Sequence, residues 1–146
     1  MLSAFGLTAL IGLERETQGK RAGLRTQAIV GTSAAVILII SKYGFSDVIN
    51  AGTIVLDPSR IAAQIVSGIG FLGAGLITRR GPVHGLTTAA AIWECAVIGV
   101  AAASGLLLLA VTVTVLHFVI MWVSVPLRAG SRTGWAARLT CRSPRS

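Results

Sequence analysis

The chain has 146 residues; 53% of them are hydrophobic, and only 18 carry a formal charge, for a net charge of +8. A soluble domain normally has about a quarter of its residues charged, and the charges here are clustered between long neutral stretches. The composition therefore indicates an integral membrane protein and argues against a soluble enzyme. Nucleic-acid binding is also excluded, because the basic residues flank apolar segments or lie in the final stretch, as membrane orientation requires.

Five apolar segments are predicted to form helices. A spanning helix needs about 20 residues, and about 17 can suffice, so the last three segments are long enough and the second is close to the limit. The first is too short, which indicates either a re-entrant element or a helix cut short by a start upstream of Met1; we favour the truncated helix. The segments cover residues 1–13, 26–41, 61–78, 86–103 and 106–125.

Local sequence signals place the ends of these helices. Asp57-Pro58-Ser59 is typical of a helix start, with aspartate as the N-cap and proline in the first turn. Gly81-Pro82 is predicted to break the chain, Ser104-Gly105 to form a tight turn, and Pro126 to end the last helix. The predicted fold is an all-α membrane bundle of about five transmembrane helices, the first truncated, without a folded C-terminal domain.

The predicted domain organisation is a transmembrane domain over residues 1–126 and a basic, disordered cytoplasmic tail over residues 127–146. The tail contains five arginines and no acidic residue. It is expected either to associate with anionic lipid or to be translated out of frame. With five crossings, one side of the membrane receives eleven basic residues and the other only Lys42 and Arg60. This asymmetry predicts an amino terminus outside and a carboxyl terminus in the cytoplasm.

The glycines of the third segment form the pattern Gly68-Ile69-Gly70-Phe71-Leu72-Gly73. The pattern matches a dinucleotide-binding fingerprint, but that fingerprint needs a soluble strand–turn–helix unit, so we reject this interpretation. The favoured interpretation is close helix packing, because small residues let helices approach closely in lipid. A loosened helix whose carbonyls face a cavity stays open as an alternative. The predicted packing glycines are Gly68, Gly70, Gly73 and Gly75.

Glu94 is a carboxyl group within the fourth apolar segment, where a charge is costly and marks function by default. It shares a predicted face with Thr87 and several alanines. His117 of the fifth segment falls at a similar depth, so Glu94 and His117 are predicted to face each other or to share a polar cavity. The alternative is a protonated Glu94 that is hydrogen-bonded to a neighbour and has no further role.

A third group of candidates is the charge cluster that begins at Glu14-Arg15-Glu16 and includes Arg25 and Thr26. It is either a solvated loop with charge pairs or a docking or gating site. The sequence contains no nucleophile–base pair, metal-ligand cluster or phosphate-binding loop, so no enzyme activity is expected. No cofactor is expected, with Mg²⁺ as a possible exception.

Five runs of sequence resemble the MgtC/SapB family of bacterial inner-membrane proteins. They occur in the family's order and spacing over about residues 9–120, and Glu94 departs from the family pattern. The runs are Gly12-Leu13-Glu14-Arg15-Glu16, Ala22-Gly23-Leu24-Arg25-Thr26, Ser59-Arg60-Ile61-Ala62, Val66-Ser67-Gly68-Ile69-Gly70-Phe71-Leu72-Gly73-Ala74-Gly75 and His84-Gly85-Leu86-Thr87-Thr88-Ala89-Ala90.

The resemblance implies a five-helix membrane domain linked to growth in low magnesium and to intracellular survival of pathogens. Family members are also regarded as regulators of other membrane complexes, including the F-type ATP synthase. We therefore expect a regulator that contacts a partner within the membrane, with a transporter or channel for Mg²⁺ or another cation as the alternative. An oligomer is possible. The candidate functional residues are Glu14, Arg15, Arg25, Thr26, Arg60, Gln64, Thr87, Thr88, Glu94 and His117.

Overall fold

The fold, seen in a computed structural model, is entirely helical over the residues that the structure describes. These are residues 1–45, 57–77 and 83–140, with side chains described up to residue 123 except for Pro58. Gly81-Pro82 lies outside them, so that predicted break stays a prediction. The described part of the chain contains five helices, which confirms the predicted all-α class: α1 Leu2–Thr17, α2 Leu24–Tyr43, α3 Pro58–Leu76, α4 Leu86–Ala103 and α5 Leu107–Thr140.

The amino-terminal helix is longer than predicted. It continues from Leu2 to Thr17 rather than stopping at Leu13, because the charged residues that follow are good helix formers and Arg15 points into the protein instead of into water. Its 16 residues correspond to about 24 Å of helix.

Helix α3 begins where the sequence predicts. The carboxylate of Asp57 accepts a hydrogen bond of 3.0 Å from the main-chain N–H of Ser59 and one of 2.5 Å from the Ser59 hydroxyl. Pro58 occupies the first helical position, where its missing N–H costs nothing because that group has no partner inside a helix. The hydrogen bonds stabilise the carboxylate form and lower the pKa of Asp57.

Two glycines define the ends of α4. Gly85 precedes the helix with φ at +95°, and a Cβ added there would overlap the carbonyl oxygen of Leu76. Ser104 is the C-cap, and Gly105 has φ at +89°, a left-handed conformation that glycine adopts at little cost. The predicted turn between α4 and α5 and the predicted bounds of α4 are thereby confirmed.

Pro126 does not end the last helix: α5 runs from Leu107 to Thr140, so that prediction is wrong. A proline removes one main-chain hydrogen bond, and local adjustment in membrane helices tolerates the loss. Alanine, leucine and arginine in the following segment then favour continued helix. The division into a domain ending at residue 126 and a disordered tail stays a prediction.

The chain separates into two compact units, Met1–Thr114 and Val115–Ser146. In the first unit, α1, α2 and α4 pack closely because small residues meet at their crossings. A Cβ added to Gly99 of α4 would overlap the carbonyl oxygen of Gly31 in α2, and one added to Gly31 would overlap the side chain of Thr8 in α1. Ala35 and Cys95 are completely buried in the same core.

Helix length and composition fit a bilayer. In the described part of the chain, α2, the segment Ser59–Leu76 and α4 are each long and apolar enough to cross a membrane. The apolar described part of α5 covers Leu107–Val123 and is shorter. Helix α2, predicted to be borderline in length, is 20 residues long because it extends past the predicted apolar segment at both ends.

Candidate functional site

The charged end of α1 is part of the packed structure. Arg15 is only 1% exposed, and its Nη2 donates a hydrogen bond of 3.2 Å to the main-chain carbonyl of Thr87 in the first turn of α4. Its Nε lies 3.6 Å from a carboxylate oxygen of Glu14. The resemblance implied roles for Glu14, Arg15 and Thr87, and the structure brings all three together. A fully solvated loop, the simplest alternative from sequence, does not describe Arg15.

Glu16 joins the end of α1 to the start of α2. Its carboxylate accepts a hydrogen bond of 3.0 Å from the main-chain N–H of Leu24, which would otherwise be one of the unpaired donors at a helix start. The connection is tight at glycines: a Cβ on Gly23 would lie 3.0 Å from a Glu16 oxygen, and one on Gly12 would lie 2.6 Å from the Leu24 Cα. The sequence runs 12–16 and 22–26 thus form one contact between helices.

Gln27 is a buried polar residue that sequence reasoning missed. It is completely buried, and neither its amide nitrogen nor its amide oxygen has a hydrogen-bond partner among the described residues. The Cβ of Gln27 would lie 3.2 Å from a Cβ added to Gly12, so the side chain belongs to the same α1–α2 contact. A glutamine inside the predicted membrane segment 26–41 is the signal that could have identified it.

The other candidate residues near the end of α1 and the start of α2 and α4 differ in their exposure. Thr88 is 5% exposed and lies in the core, whereas the side chains of Thr87, Arg25 and Thr26 are exposed. Thr26 also lines an open pocket between α2, α3 and α4. The end of α1, the start of α2 and the start of α4 therefore form one structured edge of the bundle, with Arg15 inside and Arg25 and Thr26 on its surface.

A second feature is a groove between α2 and α3, which we call the α2–α3 groove. It has a volume of about 450 Å³, and among the described residues that line it only Ser33 and Gln64 have polar side chains. Gly68 contributes to the wall, and Glu94 does not. The lining residues are Ile29, Val30, Ser33, Ala34, Ile37, Ile61, Gln64, Ile65, Gly68, Ile69 and Leu72.

The glycines of α3 have unequal surroundings. A Cβ added to Gly73 would lie 3.5 Å from the Cβ of Ala89 in α4, an ordinary packing distance. At Gly68, Gly70 and Gly75, an added Cβ would have no described atom within 4 Å. Within the described residues, only Gly73 of the four predicted glycines packs helices together. The other three leave small-residue surface on α3.

The remaining candidates are dispersed. Glu94 is partly buried in α4, where it takes part in a polar or electrostatic interaction. His117 belongs to the second unit, where its ring meets that of Phe118 edge to face at 5.7 Å, so the predicted proximity of Glu94 and His117 stays a prediction. Arg60 is exposed at the start of α3, with its Nε 4.0 Å from an oxygen of Asp57. The described residues contain no cluster of three or more histidine, cysteine, aspartate or glutamate side chains that could hold a metal ion.

The five helices, with apolar spans in α2, α3 and α4 and a buried core of small residues, define a multi-helix membrane protein. The chain belongs to the MgtC family, whose family model matches residues 1–129. The resemblance inferred from the five sequence runs is thereby confirmed.

Individual relatives support the same assignment. The chain is 47% identical over 114 residues to Escherichia coli (strain K12) YhiD, which is named a "putative magnesium transporter"; the match covers 77% of this chain and 53% of YhiD. It is 52% identical over 101 residues to the protein MgtC of Salmonella typhimurium (strain LT2), covering 68% of this chain and 40% of that protein. The chain therefore spans about half the length, or less, of these relatives. No solved structure matches it.

Proposed function

We propose that this chain is a non-enzymatic regulatory protein of magnesium homeostasis in the bacterial inner membrane. It acts by helix contact with another membrane complex, such as the F-type ATP synthase or a cation transporter, and supports growth in low magnesium or survival inside host cells. Its amino terminus lies outside and its carboxyl terminus in the cytoplasm. Family membership and the names of the magnesium-related relatives support the magnesium assignment.

The observation that carries the regulatory proposal is the apolar α2–α3 groove, which has Gly68 in its wall. In lipid, helices associate through close packing, and small residues allow the two backbones to approach. The groove is about 450 Å³ in size and almost free of polar groups. In its wall, Gly68 has no described atom within 4 Å of the position of an added Cβ. This surface suits the side chains of a partner helix better than it suits a hydrated ion.

The alternative function is transport of Mg²⁺ or another cation, which the name of YhiD favours. Mg²⁺ dehydrates reluctantly and usually requires carboxylate ligands and retained water. Gln64 and Gly68, two residues of the predicted path, do share the α2–α3 groove, but Glu94 is not part of its lining. The partly buried Glu94 is the residue on which a transport mechanism would depend.

Measuring Mg²⁺ flux into liposomes that contain the purified chain distinguishes the regulatory function from the transport function. The Glu94→Gln variant is measured in the same way. The regulatory proposal predicts no flux above that of protein-free liposomes. Flux that Glu94→Gln abolishes would replace the proposal with transport and would place its site in α4. The experiment requires circular dichroism of both proteins in the same liposomes, so that an unfolded sample is not counted as inactive.

The partner is tested in inverted membrane vesicles that contain the F-type ATP synthase. We expect added chain to change ATP-driven proton pumping, and Gly68→Leu to remove the effect by filling the groove. Gly6→Leu is the matched control, because Gly6 lies in α1 and likewise has no described atom within 4 Å of an added Cβ. If the Gly68 and Gly6 variants behave alike, the groove is not the contact surface.

A further inference from the structure

A second pocket lies at the edge of the first unit where α2 begins and α3 ends. It encloses about 460 Å³, within the range of about 300–1,000 Å³ typical of small-molecule sites. We call it the edge pocket. Among the described residues that line it, Arg21 is the one cation. These lining residues are Arg21, Ala22, Thr26, Val30, Phe71, Leu72, Ala74, Gly75, Leu76 and Ile92.

Two of the described lining residues, Arg21 and Thr26, have polar side chains, and both lie near the start of α2. Arg21 lies in the connection before α2, and Thr26 lies in the first turn of α2. Both side chains are exposed. Arg21 makes no ion pair or hydrogen bond within the part of the chain that the structure describes. An arginine presents a planar set of donors that matches phosphate oxygens, and a threonine hydroxyl can donate one more hydrogen bond beside it.

The walls behind these two residues are apolar. Phe71 lies five residues before the end of α3 at Leu76, and Val30 lies six residues after the start of α2 at Leu24. At about 1.5 Å per residue, the apolar lining extends roughly 8–9 Å into the helix bundle. Phe71 is 83% exposed and Leu72 is 52% exposed, so this wall is open to the hydrocarbon side.

The edge pocket has a positive charge at the helix ends and apolar walls deeper in the bundle. A phospholipid has a matching arrangement, with its phosphate at the membrane interface and its acyl chains in the hydrocarbon. We propose that the edge pocket binds one anionic phospholipid, with its phosphate on Arg21 and Thr26 and an acyl chain along Phe71 and Leu72. The bound lipid fills the space between α2 and α3 at this edge. This site goes beyond the proposed regulatory function and does not depend on it.

The binding test is native mass spectrometry of the full chain released from detergent with either phosphatidylglycerol or phosphatidylcholine added. A juxtamembrane basic residue contributes about 1 kcal/mol to anionic-lipid binding, which corresponds to about fivefold in affinity. We expect phosphatidylglycerol to bind at least fivefold more tightly than phosphatidylcholine, and Arg21→Gln to remove about fivefold of that affinity. Arg60→Gln is the matched control for loss of charge, because Arg60 is exposed at the opposite end of α3.

The apolar half of the edge pocket is tested by Gly75→Leu. An added Cβ at Gly75 meets no described atom within 4 Å, so the variant should fold while its side chain occupies the pocket. We expect it to weaken binding of both lipids, and Gly6→Leu to leave both unchanged. Circular dichroism of each variant verifies the helix content.

Three outcomes would overturn the proposal. If Arg60→Gln weakens phosphatidylglycerol binding as much as Arg21→Gln does, the attraction is a general effect of net charge. If folded Gly75→Leu binds both lipids normally, no acyl chain occupies the pocket. If soluble glycerol 3-phosphate competes with phosphatidylglycerol at equal concentration, the ligand is a free phosphate compound and the membrane lipid is not its source.

Discussion

The Arg15 guanidinium donates a hydrogen bond to the main-chain carbonyl of Thr87, 72 positions further along the sequence, over 3.2 Å. The bond connects the end of α1 to the start of α4, across two of the sequence runs that carry the family resemblance. A buried guanidinium needs such acceptors, because an unpaired charge is expensive to bury. We therefore infer that the first role of Arg15 is to hold α1 and α4 together at this edge. Any contact with a partner at this edge would depend on that role.

Replacing Arg15 with methionine should destabilise the bundle by about 1–3 kcal/mol, because it removes a charged hydrogen bond and leaves the nearby Glu14 carboxylate without the guanidinium. Methionine keeps most of the length of the apolar stem, so the loss is chiefly polar. Reversible unfolding in mixed micelles, followed by circular dichroism, measures the change.

The control for this experiment is Arg25→Met, since Arg25 is exposed and a surface substitution usually changes stability by less than about 0.5 kcal/mol. Equal stability of the Arg15 and Arg25 variants would show that the Arg15–Thr87 contact contributes little to folding.

Gly99→Ala should be among the most damaging single-methyl additions to the chain. The new Cβ would overlap the carbonyl oxygen of Gly31, which is main chain and cannot rotate away. Overpacking of this kind typically costs about 1–3 kcal/mol. The same unfolding measurement applied to Gly70→Ala provides the contrast.

At Gly70 an added Cβ meets no described atom within 4 Å. Alanine should therefore be neutral there or stabilising by up to about 1 kcal/mol through its higher helix propensity. If Gly99→Ala is as stable as Gly70→Ala, the α2–α4 crossing is looser than the geometry indicates.

These glycines also show what sequence can predict. The run from Gly68 to Gly75 attracts attention because its glycines are adjacent, yet the tightest helix contacts are at isolated glycines: Gly12, Gly31 and Gly99. Sequence shows that a residue is small, but the face that meets a neighbouring helix depends on contacts between distant parts of the chain. An isolated glycine in an apolar helix carries no local sign of its partner.

Sequence signals within a few neighbouring residues predicted the ends of helices better than they predicted contacts between helices. The start of α3 was predictable because Asp57-Pro58-Ser59 contains its own hydrogen bonds, and the end of α4 was predictable because Gly105 adopts a left-handed turn. Pro126 misled because a proline weakens a helix without always ending it. For the candidate site, resemblance located Glu14, Arg15 and Thr87, but the inward direction of Arg15 and the burial of Gln27 required the tertiary structure.

The N-cap of α3 should make stability dependent on pH. Because hydrogen bonds from Ser59 lower the pKa of Asp57 in the folded state, the cap stabilises the protein above the ordinary aspartate pKa of about 3.9. This stabilisation is lost as pH falls through the lower, folded pKa. Asp57→Ala should lower the unfolding temperature at pH 7, and the difference from the parent protein should shrink as the pH is reduced towards 3.

Asp57→Asn separates the cap from its charge. Asparagine is also a good N-cap and does not titrate in this range, so this variant should retain most of the stability at pH 7 and lose the pH-dependent part. An Asp57→Ala deficit that stays constant from pH 7 to pH 3 would mean that the carboxylate form of the cap is not what stabilises α3.

Gln27 tests whether the buried polar side chain at the α1–α2 contact stabilises or destabilises the fold. Its amide is fully buried, without a hydrogen-bond partner among the described residues, and an unsatisfied buried polar group costs about 1–3 kcal/mol. Leucine has a volume similar to that of glutamine, so Gln27→Leu should leave stability unchanged or raise it by up to that amount, as measured by unfolding in mixed micelles.

Ala28→Leu is the contrasting variant, because Ala28 is also buried and a larger side chain there would overpack the core. If Gln27→Leu instead destabilises the protein by more than about 1 kcal/mol, then water or another bound group satisfies the amide, and the α1–α2 contact contains a polar site.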